Sequence, residues 1–151
     1  TENLNSRETF FISNSSVSSL KIKDIYEKII EGHIPKDETI SIKKRDFVIR
    51  KLANRVAWFQ FEQLCGGHIG AEDYLEMIKY TDQIIIENVP IFNNANANMQ
   101  ERFINLIDVL YDNKIQIIIS SVREIEKLGS AFYLKDKFQR TVSRLIEMRS
   151  K

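Results

Sequence analysis

Two arginines in the last part of the sequence have the residue type and spacing to bind an anionic group. Arg140 and Arg144 lie four residues apart, which puts both side chains on one face of a helix, one turn apart. Guanidinium groups in this arrangement can clamp a phosphate or a carboxylate. The spacing also fits ordinary local ion pairs, with Asp136 before Arg140 and Glu147 after Arg144. On the spacing alone, ordinary local pairing is the favoured interpretation, and anion binding is the alternative.

A glycine-rich segment at residues 66–70 has some features of a phosphate-binding loop, because main-chain amides at the start of a helix attract anions. A P-loop ends in Gly-Lys followed by Ser or Thr, which supply an ammonium group for the phosphates and a hydroxyl for magnesium. Here Gly70 is followed by Ala71 and Glu72. The segment is therefore predicted to be a tight turn between a strand and a helix.

The only cysteine, Cys65, precedes His68 by three residues, a spacing that two zinc ligands can have. A closed zinc site needs four ligands, and His33 is the one other histidine. A catalytic Cys-His pair needs a third group to orient the histidine, and only adjacency suggests Glu72 or Asp73 for that role. We therefore predict a buried thiol beside a turn histidine, with no metal ligand and no catalytic residue.

Three carboxylates on a predicted helix over residues 97–112, Glu101, Asp108 and Asp112, include an i,i+4 pair that could share a cation. They lie opposite an apolar stripe that includes Phe103 and Leu110. An amphipathic helix of this kind normally exposes its acidic face to water. We predict a solvated face here.

The composition limits the classes of partner. The 151 residues carry 22 basic and 21 acidic side chains, a net charge of +1, so the broad positive field typical of nucleic-acid binding is missing. A single cysteine fits a reducing, cytoplasmic environment. The apolar runs are much shorter than the roughly 20 residues that a membrane-spanning helix needs. We predict no nucleic-acid partner and no membrane span.

The hydrophobic pattern predicts an α/β fold of the α+β type with a mixed sheet. Apolar residues at helical spacing predict an N-terminal helix at 19–31, and β-branched and aromatic runs predict an antiparallel three-strand meander. The runs of isoleucine that follow predict a parallel βαβ pair, because helices must cover both faces of such strands. The remaining predicted elements are strands at 38–43, 46–52 and 55–62, a helix near 71–80, strands at 83–88 and 114–120 around helix 97–112, a short helix near 122–128 and a C-terminal helix at 137–149.

Several ordered blocks of sequence resemble the C-terminal half of the ZapE-type, or AFG-like, AAA+ ATPases. This family contains bacterial cell-division ATPases and relatives at the mitochondrial inner membrane. The order and spacing of the blocks match over residues 38–150, and residues 1–37 match more loosely. The blocks are VAWFQF at 56–61 running into LC at 64–65, GAEDYL at 70–75, VP at 89–90, RFINLID at 102–108 with LYD at 110–112, and FQRTVSRLIEM at 138–148.

The resemblance implies that residues 1–18 are a linker from an ATPase core and that residues 19–151 are a C-terminal domain. The P-loop and the acidic magnesium-binding motif of the family have no counterpart in this sequence, so the chain alone is predicted to be inactive as an ATPase. ATP and Mg²⁺ belong to the full-length parent. The implied partners are the N-terminal ATPase half, further copies in a ring, and cell-division or substrate proteins. The implied location is the bacterial cytoplasm, with peripheral contact to the inner membrane as an option.

The resemblance also gives Arg140 and Arg144 a role, because AAA+ rings use arginines outside the P-loop to sense the terminal phosphate or to contact a neighbouring subunit. The family often has an acidic residue just before Val-Pro, where this sequence has Asn88 after Glu87. The strands at 83–88 and 114–120 repeat the layout of an AAA+ acidic strand and sensor strand. A degenerate copy of that layout and a generic βαβ unit explain this pattern equally.

A second function fits the same sequence. The chain could be a protein-interaction module that works without nucleotide and binds its partner through an antiparallel strand edge or exposed aromatic side chains. A Gly-x-x-x-x-Gly-Lys-Ser/Thr motif upstream in the gene would favour the ATPase interpretation.

Overall fold

The computed structural model describes residues 10–12 and 16–149, apart from the side chain of Ser16. Three short 3-10 turns, Asn94–Asn96, Ile125–Lys127 and Phe132–Leu134, connect the main elements. The strands are β1 (Phe10–Ile12), β2 (Lys36–Ile42), β3 (Arg45–Leu52), β4 (Val56–Gln60), β5 (Gln83–Val89) and β6 (Gln116–Ser121). The helices are α1 (Ser16–Ile29), α2 (Phe61–Cys65), α3 (Ala71–Met77), α4 (Ala97–Asp112) and α5 (Lys135–Arg149).

Four of these strands form a parallel sheet in the order β1-β6-β5-β4. Successive side chains on a strand point to opposite faces. Ile84 and Ile86 of β5 accordingly lie in the larger apolar cluster with α4, whereas Ile85 lies in a smaller cluster with Ile22 and Tyr26 of α1. Because both faces are covered, the isoleucine runs need no polar alternation. The α/β fold class and the βαβ pair around α4 are confirmed.

The predicted three-strand meander is wrong in its third strand. β2 and β3 form a separate antiparallel hairpin, and β4 pairs in parallel with β5 over five residues. β3 and β4 meet at one antiparallel bridge, Ala53 with Val56, across a two-residue turn. Lys51 has a φ of 46°, which interrupts the extended backbone of β3 just before that turn. β4 is apolar on both faces, so it is more stable inside the covered sheet than on the hairpin.

The structure also shifts several predicted boundaries. Residues 10–12 of the predicted linker form β1, which pairs with β6, and α1 begins at Ser16. Residues 1–9 and 13–15 of that linker lie outside the described residues, and its boundary stays a prediction. The short helix expected near 122–128 is the 3-10 turn Ile125–Lys127, and α5 begins at Lys135.

A cluster of four phenylalanines anchors α5 to the body of the domain. Phe103 of α4 lies at the centre, with ring centroids 5.8 Å from Phe61, 5.7 Å from Phe92 and 6.5 Å from Phe138 of α5. Phe92 and Phe138 meet edge to face at 5.3 Å, an orientation that aromatic pairs favour. The cluster fixes which face of α5 points to solvent. Within the described ranges, no helix is long and apolar enough to cross a membrane.

Candidate functional site: the outer face of the last helix

α5 forms because its apolar residues recur every three or four positions, which gives a single buried stripe. Phe138, Thr141 and Leu145 are buried on that stripe. Asp136 in the first turn and Arg149 in the last turn have the charges that the helix dipole favours at each end. The two candidate arginines therefore lie away from the core, as the spacing predicts, but their surroundings differ.

Arg144 is held by α4. Its Nη1 donates to Asp108 Oδ1, and its guanidinium carbon lies 4.9 Å from the centroid of the Tyr111 ring. The Tyr111 hydroxyl in turn donates to Glu147 at 2.9 Å, and this hydrogen bond raises the pKa of Tyr111. The ion pair is only about a quarter to a third exposed on each side. Arg144 therefore joins α4 to α5, and it does so through Asp108 rather than through the local pair with Glu147.

Arg140 is exposed and has a different environment. Over residues 10–12 and 16–149 its side chain makes no hydrogen bond or ion pair, so the alternative pairing with Asp136 does not form there. A planar guanidinium with five free donors can bind a carboxylate or phosphate without first breaking an internal bond. Of the two arginines predicted from sequence, Arg144 thus joins two helices, and the guanidinium of Arg140 is available to bind an anionic group.

A buried carboxylate at the carboxyl end of the parallel sheet was not assigned from sequence. Glu87 is 5% exposed and accepts hydrogen bonds from Trp58 Nε1 at 2.6 Å, Gln60 Nε2 at 3.2 Å and Ser19 Oγ at 3.3 Å. Buried charges need such donors, because desolvation otherwise costs several kcal/mol. Glu87 therefore ties α1 and β4 to β5. Its position after an apolar strand was the signal available in the sequence.

The neighbouring residue connects the two central strands. Asn88 has a left-handed backbone with a φ of 66°, and its N–H donates to Ser120 Oγ of β6 at 2.9 Å. The polar carboxyl ends of β5 and β6 thus meet, as parallel neighbours must. This juxtaposition fits the degenerate sensor-strand layout, and a generic βαβ unit has it as well.

The glycine-rich segment at 66–70 is a turn between α2 and α3, so a short helix replaces the direct strand-to-helix connection that we predicted. Asp73 accepts from the Gly70 N–H at 2.8 Å and from Arg45 Nη2 at 2.8 Å. Arg45 Nη1 also donates to the main-chain oxygen of His68 at 3.0 Å. These bonds close the turn and fasten the β2–β3 hairpin beside it. The loop amide of Gly70 is thus bonded to a side chain of the chain itself.

Cys65 is fully buried, and burial raises the pKa of its thiol to about 12. Its surroundings are structural: the Tyr74 hydroxyl donates to the oxygen of Leu64 at 2.6 Å, and Arg102 Nη1 donates to the oxygen of Cys65 at 3.1 Å. Among the residues with described placement, no group of three or more His, Cys, Asp or Glu side chains could hold a metal ion.

The thiol of Cys65 is expected to resist alkylation in the folded chain. At pH 8 a thiol with a pKa of about 12 is almost entirely protonated, and the thiolate is the reactive form, so labelling by iodoacetamide should be at least about 100-fold slower than in the denaturant-unfolded chain. A Ser143→Cys variant supplies an exposed thiol as the control. Equal labelling rates at positions 65 and 143, measured by mass spectrometry, would contradict the burial.

The described residues do not by themselves fit a nucleotide and its magnesium ion. The 151 residues contain no Gly-x-x-x-x-Gly-Lys-Ser/Thr motif. Glu87, the buried carboxylate at the carboxyl edge of the sheet, is already engaged by three side chains of the chain itself. Within residues 10–12 and 16–149, Glu87 is bonded inside the chain, whereas the Arg140 side chain has no internal partner.

The family model for AFG1-like ATPases matches residues 1–151. The chain therefore belongs to the AFG1-like ATPase family. It is 26% identical over 112 residues to the cell division protein ZapE of Escherichia coli K12, covering 74% of this chain and 30% of that protein. It is 24% identical over 121 residues to lactation elevated protein 1 homolog B of Danio rerio, covering 79% and 24%. It is also 32% identical over 91 residues to a protein of Schizosaccharomyces pombe described as uncharacterized, covering 60% and 20%.

These relatives are much longer than the matched region. The chain spans less than a third of the length of each of these three relatives. No solved structure matches the chain. The family context is thus that of AAA+ ATPases, and most of each relative's polypeptide lies outside the part described above.

Proposed function

We propose that this chain is the C-terminal accessory domain of a ZapE-like AAA+ ATPase. In this proposal the rest of the polypeptide, here called the ATPase portion, binds ATP and Mg²⁺ and hydrolyses the nucleotide. The accessory domain couples that hydrolysis to contacts within the ring or to the substrate protein. Support comes from family membership over the whole chain and from the missing P-loop motif.

The contrast between the two arginines carries the proposal. Arg144 is used internally by Asp108 and Tyr111, so it orients α5 against α4. Arg140 lies one turn earlier on the exposed surface of a helix fixed in this way, and its guanidinium is available. A free arginine on a rigid element is the kind of group that AAA+ rings use across a subunit contact or toward a phosphate. Arg140 is our candidate for that contact, and Arg144 for the residue that positions its helix.

The cellular setting is part of the same proposal. By analogy with the name of the Escherichia coli relative, we place the protein in bacterial cell division, with mitochondrial-type protein quality control as the alternative setting for the family. The proposed location is the cytoplasm, with peripheral contact to the inner membrane. Further proposed partners are other copies in a ring and a substrate protein.

ATP turnover by a full-length polypeptide that carries this chain tests the proposal. Arg140→Ala is expected to lower kcat by at least about 10-fold, and by about 1,000-fold or more if the guanidinium reaches the transferred phosphoryl group, where an arginine contributes roughly 10³- to 10⁵-fold. Lys23→Ala, which removes an exposed cation from α1, is the matched control and should leave turnover unchanged. Unchanged turnover and unchanged oligomeric state in Arg140→Ala would contradict the proposal.

A nucleotide-independent interaction module is the second candidate function. The observation that favours it is a pair of consecutive exposed aromatic side chains, Phe132 and Tyr133, just before α5. A module of this kind would bind its partner equally with ATP, with ADP and without nucleotide. It would also tolerate Arg140→Ala, so the turnover experiment separates the two functions.

A further inference from the structure

The turn that leads into α5 presents two large aromatic side chains to solvent. Phe132 is 77% exposed and Tyr133 is 64% exposed. The neighbouring residues Ala131 and Leu134 are buried, so the turn is attached to the core while its two aromatic residues point outward. Aromatic side chains such as these are enriched at protein interfaces relative to the rest of the surface.

Several hydrogen bonds hold the turn, and one of them involves an aromatic side chain, because the Tyr133 hydroxyl donates to Glu101 Oε1 of α4 at 3.1 Å. The buried amide of Gln100 accepts from the Ala131 N–H and donates to Ser130 Oγ, both at 2.8 Å. The Phe132 N–H donates to Asn94 Oδ1 at 2.8 Å. Gly129 supplies a left-handed backbone with a φ of 78°. A side chain held in its binding geometry loses little entropy on docking, so the turn is preorganised for a partner.

The turn that carries the two aromatic residues leads directly into α5, which carries the proposed contact residue Arg140. Tyr133 lies two residues before the start of α5, and Arg140 lies in the second turn of that helix. The segment between them has two exposed lysines, Lys135 and Lys137, and the acids of this surface are Asp136 and Glu101, which accepts from the Tyr133 hydroxyl. Tyrosine and arginine are the residue types most often found at the energetic centres of interfaces. The surface therefore fits a partner face that combines an apolar pocket with acidic side chains.

The size of the surface decides what kind of partner it can hold. Two aromatic side chains bury at most a few hundred Å² in total, far below the 1,200 Å² or so typical of stable complexes between free proteins. A partner joined to the same polypeptide, or held in the same ring, meets the surface at an effective concentration of about millimolar, so a small anchor is sufficient. The relatives have at least two thirds of their length outside the matched region.

We propose that Phe132 and Tyr133 are the anchor by which this domain docks onto the ATPase portion, beside the contact made by Arg140. The inference rests on the proposed function in one respect, namely that the chain is joined to an ATPase portion. It adds the position of the contact and its chemistry: an apolar pocket on the ATPase portion that is rimmed by acidic side chains.

Site-specific photocrosslinking in a full-length polypeptide that carries this chain tests the docking. With p-benzoylphenylalanine at position 133, we expect crosslinks to the ATPase portion, in a yield about 10-fold above that from position 80, because docking raises local concentration. Tyr80 is the matched control, since it is an exposed aromatic residue elsewhere on the domain. Phe132→Ser should reduce the yield from position 133 severalfold.

Three outcomes would overturn the inference: crosslinks confined to residues 1–151 of a second copy, crosslinks to other proteins in place of the ATPase portion, or a yield no higher than at position 80. The result is separable from that of the turnover experiment. Crosslinks to the ATPase portion with normal turnover in Arg140→Ala would leave the docking in place and remove the proposed role of the arginine. Loss of turnover in Arg140→Ala without crosslinks from position 133 would keep the role of the arginine and remove the docking.

Discussion

Phe103→Ala is expected to lower the free energy of unfolding by about 3–5 kcal/mol, the usual cost of removing a phenyl ring from a packed core. Phe103 is fully buried and lies between the rings of Phe61, Phe92 and Phe138, which belong to three other parts of the chain. The cavity that the missing Phe103 ring leaves cannot close unless α5 moves relative to α4. Urea unfolding followed by circular dichroism gives the change, provided that the slope of free energy against denaturant stays constant.

Phe132→Ala is the matched control for this experiment. It removes the same side chain from a position that is 77% exposed, so the expected change in stability is within about 0.5 kcal/mol. A loss below about 1 kcal/mol for Phe103→Ala would contradict the packing of α5 described above, since such a value is typical of a half-exposed ring. The comparison also separates the stability of the domain from the docking role of the turn.

Gly129→Ala is expected to destabilise the chain by at least about 2 kcal/mol, because a left-handed backbone alone costs an L-residue roughly 1–2 kcal/mol. Gly129 has a φ of 78°, and a Cβ atom there would lie 2.8 Å from the main-chain oxygen of Phe92. Main-chain atoms give way less readily than the end of a flexible side chain, so the contact adds strain. Thermal unfolding of the purified chain measures the effect.

Gly67→Ala is the control, because a Cβ at Gly67 would meet no atom within 4 Å and the residue has no left-handed backbone. It should change the unfolding temperature little. Equal melting temperatures for the two variants would show that the turn before α5 can relax, and the preorganisation argued for Phe132 and Tyr133 would then fail. A lower melting temperature in Gly129→Ala alone, together with weaker crosslinking from position 133, would show that docking depends on the backbone conformation of the turn.

The sequence was sufficient where a single element determines its own pattern. The apolar spacing of α4 and α5 predicted both helices, and the isoleucine runs predicted the parallel strands on either side of α4. The pairing of strands with one another was harder to predict. β4 looks like the third strand of a meander because Asn54 and Arg55 form a tight turn after β3. Whether the ladder continues past that turn depends on competition with β5, which a local pattern does not contain.

The candidate site was predicted to a similar extent. Helical spacing identified Arg140 and Arg144 as neighbours on one side of α5. It offered only partners within the same helix, whereas Arg144 pairs with Asp108, which is 36 residues away in the chain and belongs to α4. Asp108 was accordingly expected on a solvated face. Side chains that meet only after two helices have packed leave no periodic signal, and the same reason hides the bonds of Glu87 to Ser19 and Trp58.

The sheet separates the apolar interior into two unequal compartments, one beneath α1 and one beneath the other helices. Side chains on opposite faces of a strand do not touch, so their packing energies are nearly independent. Sequence drift on the α1 side can therefore proceed without readjustment around α4 and α5. Substitutions that change the packing of α1 against the sheet are therefore expected to leave the shape of the face that bears Arg140 unchanged.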